Sequence, residues 1–413
     1  MGNPLPIYTT RTLSNGLRIV YLPSDSPVSY CGLTVNAGTR DEEPGQFGLA
    51  HFVEHMLFKG TEKRKSWHIL NRMECVGGEL NAYTTKEETF LYAICLSDDT
   101  ERAVELLFDL AFHSQFPESE IDKEREVIID EIHSYEDNPS EALYDEFENI
   151  LFRGSSMGHL ILGEEANLRT FTSSSCRSFA DTFYHPDNMV FFYYGKIPWP
   201  KITRLAEKQL GEVRSSNSGV PVRRKEPEKI EPVREKVNKG LHQSHVILGS
   251  RGYGLHDPKR IGLYLLNNLL GGPGMNSRLN MALREKRGLV YSVDSSITSY
   301  SDTGVFSVYF GCDHQSTQQC FRLIGKELQS LCTKALTSSQ LHAAVKQLKG
   351  QMGISGEHRE NVALALGKSF LHYNHYNSLP EIYAKLDALT ANQLLEIANE
   401  VFSESRLFGL IFE

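Results

Sequence analysis

The sequence predicts an α+β chain of two homologous domains, each a mostly antiparallel sheet with helices packed on one face. Three observations carry this. At 413 residues the chain is too long for one ordinary core and suits two domains of about 200 residues. Segments of the first half recur in the same order in the second, at a nearly constant offset of half the chain. Within each half, short alternating apolar runs come first and helix-period patterns follow.

The elements are read in order. "TLSNGLRIVYL" (12–22) is a strand pair around Asn15-Gly16, a hairpin turn signal. "SYCGLTVNAG" (29–38) is a strand with Cys31, Leu33 and Val35 on one face. "GLAHFVEHMLFKGT" (48–61) opens after glycines as an amphipathic helix. "FLYAICLSDDTERAVELLFDL" (90–110) reads as strand, polar turn and helix, and so does "VFSVYFGCDHQSTQQCFRLIGKEL" (305–328). "FPESEIDKEREVIIDEI" (116–132) pairs with "LTSSQLHAAVKQLKGQM" (336–352), each a helix behind a Ser N-cap. "FTSSSCRSFADTFYHPDNMVFFYYG" (171–195) matches "LTANQLLEIANEVFSESRLFGLIF" (389–412), a Thr-capped helix, a turn and an apolar strand. Between the halves, "VRSSNSGVPVRRKEPEKIEPVREKVNKG" (213–240) mixes Ser, Pro and alternating charge without apolar period, which is linker composition. The expected division is 1–212 for an N-terminal domain, 213–234 for a linker and 235–413 for a degenerate C-terminal repeat.

Composition narrows the function. A formal net charge of −9 argues against nucleic acid as partner. No run reaches the roughly 18 apolar residues of a membrane span, and "MGNPLPIYTTRTLSNG" has no basic and apolar leader pattern. The seven cysteines are scattered and form no C-x-x-C, so they read as reduced thiols, with the cytoplasm as expected location.

The helix at 48–61 carries the chemistry. Successive residues advance about 100° on a helix, so His51, Glu54 and His55 fall on one side, with Phe52, Val53, Met56 and Leu57 on the rest. Histidines at i and i+4 can reach one metal ion, and the intervening Glu54 is placed to take a proton from water. A catalytic zinc site usually needs a third protein ligand. In "EREVIIDEIHSYED", Glu124 and Glu131 are seven apart on one partly apolar helix face, where two carboxylates would be costly without a cation. Pattern alone leaves both as ligand candidates. The matching helix of the second half, "GLYLLNNLL" (262–270), has no histidine, and the counterparts of Glu124 and Glu131 fall near Ala344 and Gln351. Metal chemistry is therefore expected in the first half only. His133, His185, His242 and His245 are read as structural.

These motifs resemble the inverzincin peptidases of the pitrilysin family, metallopeptidase family M16, which includes insulin-degrading enzyme and the mitochondrial processing peptidase. The family hallmark is H-x-x-E-H with a further Glu well downstream on a second helix, and the step from His55 to Glu131 matches the family's spacing. "GGELNAYTTKEETFLYA" (77–93) resembles the family's substrate strand, and "GGPGMNSRLNMALREKRGLVYSV" (271–293) the segment that holds an Arg and a Tyr seven apart. The resemblance covers essentially the whole chain. It implies zinc (Zn2+) held by His51, His55 and Glu131, with Glu54 as general base and Glu124 as a supporting carboxylate. It implies Tyr291 donating to the oxyanion or scissile carbonyl, Arg284 holding the substrate backbone, and a peptide pairing with Asn81, Ala82 and Tyr83. The family's largest members join four such domains around a chamber. This chain has two, which implies a second chain, with a homodimer favoured over a heterodimer because both motifs stand on one polypeptide.

The leading expectation is a zinc endopeptidase acting on short or unfolded peptides. One alternative is a presequence-processing peptidase with a different partner subunit. Another is a non-catalytic assembly subunit like the respiratory-complex core proteins, which the intact His51, Glu54, His55 and Glu131 argue against.

Overall fold

The computed structural model describes residues 8–210 and 224–413. Residues 1–7, read above for a leader, and 213–223 of the expected linker lie outside the described residues; 224–233 form neither helix nor strand. In chain order the strands are β1 (Thr9–Thr12), β2 (Arg18–Pro23), β3 (Val28–Val35), β4 (Glu79–Thr84), β5 (Thr89–Leu96), β6 (Met189–Gly195), β7 (Arg234–Val237), β8 (Ser244–Gly252), β9 (Val290–Ser299), β10 (Gly304–Cys312) and β11 (Phe408–Phe412). The helices are α1 (Leu49–Leu57), α2 (Ser66–Glu74), α3 (Thr100–His113), α4 (Glu118–Glu136), α5 (Pro139–Leu151), α6 (Glu165–Leu168), α7 (Ser173–Phe183), α8 (Trp199–Leu210), α9 (Arg260–Gly271), α10 (Thr317–Thr333), α11 (Ser338–Ser355), α12 (Arg359–Tyr373), α13 (Leu379–Asp387) and α14 (Ala391–Phe402).

These elements form two compact units. The first comprises the described residues of Met1–His133, Leu160–Lys225 and Gly356–Ser378; the second comprises Ser134–His159, Glu226–Ser355 and Leu379–Glu413. The units are not contiguous along the chain. The first takes α12 from the C-terminal half, and the second takes α5 from the N-terminal half.

Sheet order in the first unit is β1-β2-β6-β3-β5-β4, and in the second β7-β11-β8-β10-β9. In each, one pair is parallel, β2 with β6 and β7 with β11, and the other neighbours are antiparallel. The orders superimpose strand for strand, with β1 as the extra strand of the first. β5 begins at Thr89 and its counterpart β10 at Gly304, while α4 begins at Glu118 and its counterpart α11 at Ser338, so the offset along the chain is nearly constant. The repeat seen in the sequence is thus a repeat of topology. The Asn15-Gly16 signal does mark a β1–β2 turn, with Gly16 at φ 92°, but Thr12 pairs with Arg18, so the loop has five residues rather than two.

The main helical layer lies on one face of each sheet. In the first unit Cys31, Leu33 and Val35 of β3 are fully buried on the face that carries α3. On the opposite face, Val20, Leu22, Val190 and Phe192 pack against Ala363, Leu366, Phe370 and Leu371 of α12. Arg18 fastens the end of that helix, donating to the Phe370 and Leu371 carbonyls at 3.3 and 3.1 Å, where unpaired carbonyls and the dipole favour a cation. In the second unit α9, α10 and α14 cover the face of Val246, Leu248, Phe306 and Val308. Leu143, Phe147 and Leu151 of α5 cover Ile247, Phe408 and Leu410 on the other.

Candidate metal centre

α1 begins after Gly48, whose φ of 96° is a left-handed turn that a side chain would resist. The helix is buried nearly all round: Phe52, Val53, Met56 and Leu57 are fully enclosed, and His51 and Glu54 are each 7% exposed. His51 and His55 stand one turn apart with ring centroids 4.5 Å from each other.

α4 supplies the two carboxylates. Glu131 Oε2 lies 3.8 Å from His51 Nε2 and 3.6 Å from His55 Nε2, and one donor atom from each of His51, His55 and Glu131 lies within 4.8 Å of the others. Among the described residues this is the one such group of three metal-type donors. Glu124, two turns earlier and 5% exposed, is not in the cluster. It accepts a hydrogen bond from His55 Nδ1 at 2.9 Å and the Lys59 ammonium at 2.5 Å. With Nδ1–H committed to Glu124, the lone pair of His55 is on Nε2, facing Glu131.

The donor set fits a metal ion. The 3.6–3.8 Å contacts are too long for hydrogen bonds but near the roughly 3–4 Å donor spacing around a tetrahedral ion with bonds of about 2 Å. His51 Nδ1 is buried and has no hydrogen-bond partner, and its Nε2 has the 3.8 Å contact with Glu131. Burial, reinforced by His55, pushes the His51 pKa down to about 3, which keeps the imidazole neutral. For His55 burial works downward, but Glu124 and the charges of Glu54 and Glu131 raise it overall.

Glu54 is held separately. Its Oε2 accepts the Thr84 hydroxyl at 2.7 Å, and burial raises its pKa above the ordinary carboxylate value. Thr84 is the last residue of β4, the edge strand of its sheet. Asn81, Ala82 and Tyr83 lie on that strand, half-buried, with Tyr83 stacked on Phe90 at 4.6 Å. The edge thus runs up to the residue that fixes Glu54.

Arg284 and Tyr291 belong to the second unit. Arg284 lies in a π-helical turn (Asn280–Glu285), and Tyr291, 88% exposed, is the second residue of the edge strand β9. Both line one cavity of about 600 Å3 with Asn267 and Asn268 of α9. The structure brings together His51, Glu54, His55, Glu124 and Glu131 in the first unit, and Arg284 with Tyr291 in the second. Of the histidines read as structural, His185 bonds Asp187 and His245 bonds Tyr309. Sequence reasoning missed Thr84 and Lys59; neither stands at a spacing that marks it.

Fold and donor set together define a class: duplicated α+β chains with one metal-type centre on the first repeat. The chain belongs to peptidase family M16. The family model described as Insulinase (Peptidase family M16) matches residues 18–165, and that described as Peptidase M16 inactive domain matches residues 170–348. The zinc protease YmxG of Bacillus subtilis is 33% identical over 403 residues, spanning 97% of both chains. A zinc protease of Streptomyces coelicolor is 32% identical over 407 residues, 97% of this chain and 88% of the relative. Both carry the description uncharacterized. The crystal structure of a protease from Helicobacter pylori shares the fold, with a TM-score of 0.90 and 23% identity over 99% of this chain and 100% of that one. The relatives' names support a zinc-type peptidase, and no helix among the described residues is long and apolar enough to cross a membrane.

Proposed function

We propose that this chain is a zinc-dependent endopeptidase that hydrolyses short or unfolded peptides. The observation that carries the reading is the convergence of His51, His55 and Glu131 donors within 4.8 Å beside a buried Glu54 that the end of an open edge strand holds in place. His51, His55 and Glu131 would hold the ion, and Glu124 would fix the ring of His55. Zinc, when bound, supplies a Lewis acid that acidifies water and polarises a carbonyl.

The remaining work falls to the chain's own groups. Glu54 has Oε2 engaged by Thr84, which leaves Oε1 to take a proton from the attacking water and return it to the leaving amine nitrogen. Its raised pKa makes it the stronger base. The free edge of β4 at Asn81, Ala82 and Tyr83 offers main-chain groups to an extended peptide, a mode that binds without demanding sequence and excludes folded substrates. We assign Arg284 to the substrate backbone and Tyr291 to the developing oxyanion. Their shared cavity and the exposure of Tyr291 support this. We further assign a homodimer, two chains forming the chamber, with a related second subunit as the alternative. A cytoplasmic location is supported by seven cysteines that form no disulfide.

The test is metal content together with cleavage of a quenched peptide by wild type and Glu54→Gln. Glu54→Gln is expected to keep its zinc and lose at least about 100-fold in kcat. Zinc retained with cleavage unchanged would remove Glu54 from the role of base, and a wild type that neither binds zinc nor cleaves would remove the peptidase reading.

A further inference from the structure

We propose that Glu42 is a positioning residue for this site: its carboxyl group holds the first turn of α1, and the residues just before it, Thr39 and Arg40, are bonded to the turn that follows the substrate strand. The inference rests on the peptidase reading above. Glu42 is 6% exposed and lies outside the donor cluster. Its Oε2 accepts the Gly48 N–H at 2.9 Å, and its Oε1 accepts the Ala50 N–H at 2.7 Å. The first N–H groups of a helix have no partner within it, and α1, starting from a glycine, has no capping side chain of its own. Glu42 fills that role from six and eight residues upstream, with one oxygen on each amide. The residue after Ala50 is His51, so any drift of this turn moves that imidazole.

The other end of the grip is the β4–β5 turn, residues 85–88. Thr39 N–H donates to the Thr85 carbonyl at 3.2 Å, and Arg40 N–H donates to the Lys86 carbonyl at 2.8 Å. Arg40 Nη1 meets Glu87 Oε1 at 2.6 Å with both side chains buried. Burial raises the Glu42 carboxyl well above its ordinary value, and the Ala50 and Gly48 N–H groups and the charge of Lys86, 2% exposed, work against that rise. Arg224 closes the cluster, bonding both oxygens of Asp41 and the Glu87 carbonyl. So many buried charges carry a desolvation cost that only mutual pairing offsets, and the chemistry above uses none of them. They join residues 39–42, whose Glu42 bonds α1, to the turn that follows Thr84, which ends β4 and holds Glu54. The cluster sets the metal helix and the peptide strand against each other.

The experiment measures zinc affinity by chelator competition and kcat and KM on a quenched peptide for wild type, Glu42→Gln and Asp109→Asn. Asp109 is a buried carboxylate of the same unit bonded to Thr61 and Arg64, and it serves as the control. Glu42→Gln is expected to stay folded, to bind zinc about tenfold more weakly, and to lose about 10- to 100-fold in kcat while KM moves little. Asp109→Asn is expected to lose thermal stability alone. A Glu42→Gln that loses only stability, with wild-type zinc affinity and kcat in its folded fraction, overturns the proposal. Should Glu42→Gln not fold, Glu42→Asp, which keeps the carboxyl group but withdraws it by one methylene, is held to the same readouts, and wild-type values again overturn it. A wild type without zinc strikes the peptidase reading instead. Hydrogen exchange at the Ala50 amide then decides for Glu42: faster exchange in the variant supports it and unchanged exchange overturns it.

Discussion

At His55 one ring nitrogen is committed to Glu124, and this commitment decides which nitrogen is left for an ion. Replacing Glu124 by Gln leaves an acceptor but removes the charge that orients the ring and balances Lys59. Zinc affinity is expected to fall about 10- to 100-fold, read by chelator competition, with the fold retained. The spacing of His51, Glu54 and His55 made their common face legible, because helix geometry alone fixes it. The distal pair was half legible. Glu124 and Glu131 share a helix face, and no local pattern says which of them meets the imidazoles. That depends on how α4 lies against α1: Glu124 sits behind His55, and Glu131 sits opposite both rings. Glu42 was not legible at all, since its partners are backbone amides, which the sequence does not display.

The elements are joined by a second buried polar group, at Glu88. This residue follows β4 in the turn to β5 and binds α12 through His372 at 2.5 Å and Lys368 at 3.2 Å. Burial alone would raise its carboxyl, but His372, Lys368 and Thr85 hold it down at about 2. A folded pKa below the unfolded value of 4.5 gives stability that is present above pH 4.5 and lost as pH falls toward 2. Thermal melts are therefore expected to show wild-type Tm dropping steeply across that window. Glu88→Gln should start lower at pH 6 and lose less on acidification. Strands and helices of both repeats were legible from apolar period and caps. The sheet on which α12 packs was not, because an amphipathic pattern states that a face is covered and not by what.

For the whole molecule, the exchange of α5 and α12 makes each unit depend on the other half of the chain. Residues 1–212 expressed alone would lack α12 and expose Val20, Leu22, Val190 and Phe192. Such a fragment is expected to aggregate or to melt without a cooperative transition, followed by solubility and circular dichroism. Co-expression with residues 213–413 should restore a single cooperative melt. The repeat itself was legible from ordered matches, and its topology follows the same order in both sheets. The crossing of the helices was hidden, since nothing in a helix sequence names its destination.

That crossing also bears on how such a protein arises. A half-length chain of this design is complete only when two copies lend each other a helix, so its folding is tied to its concentration. Joining the copies end to end turns that encounter into an intramolecular one with a high effective concentration. In the fused chain α9 carries no histidine, so the second repeat has no counterpart of the His51–His55 pair.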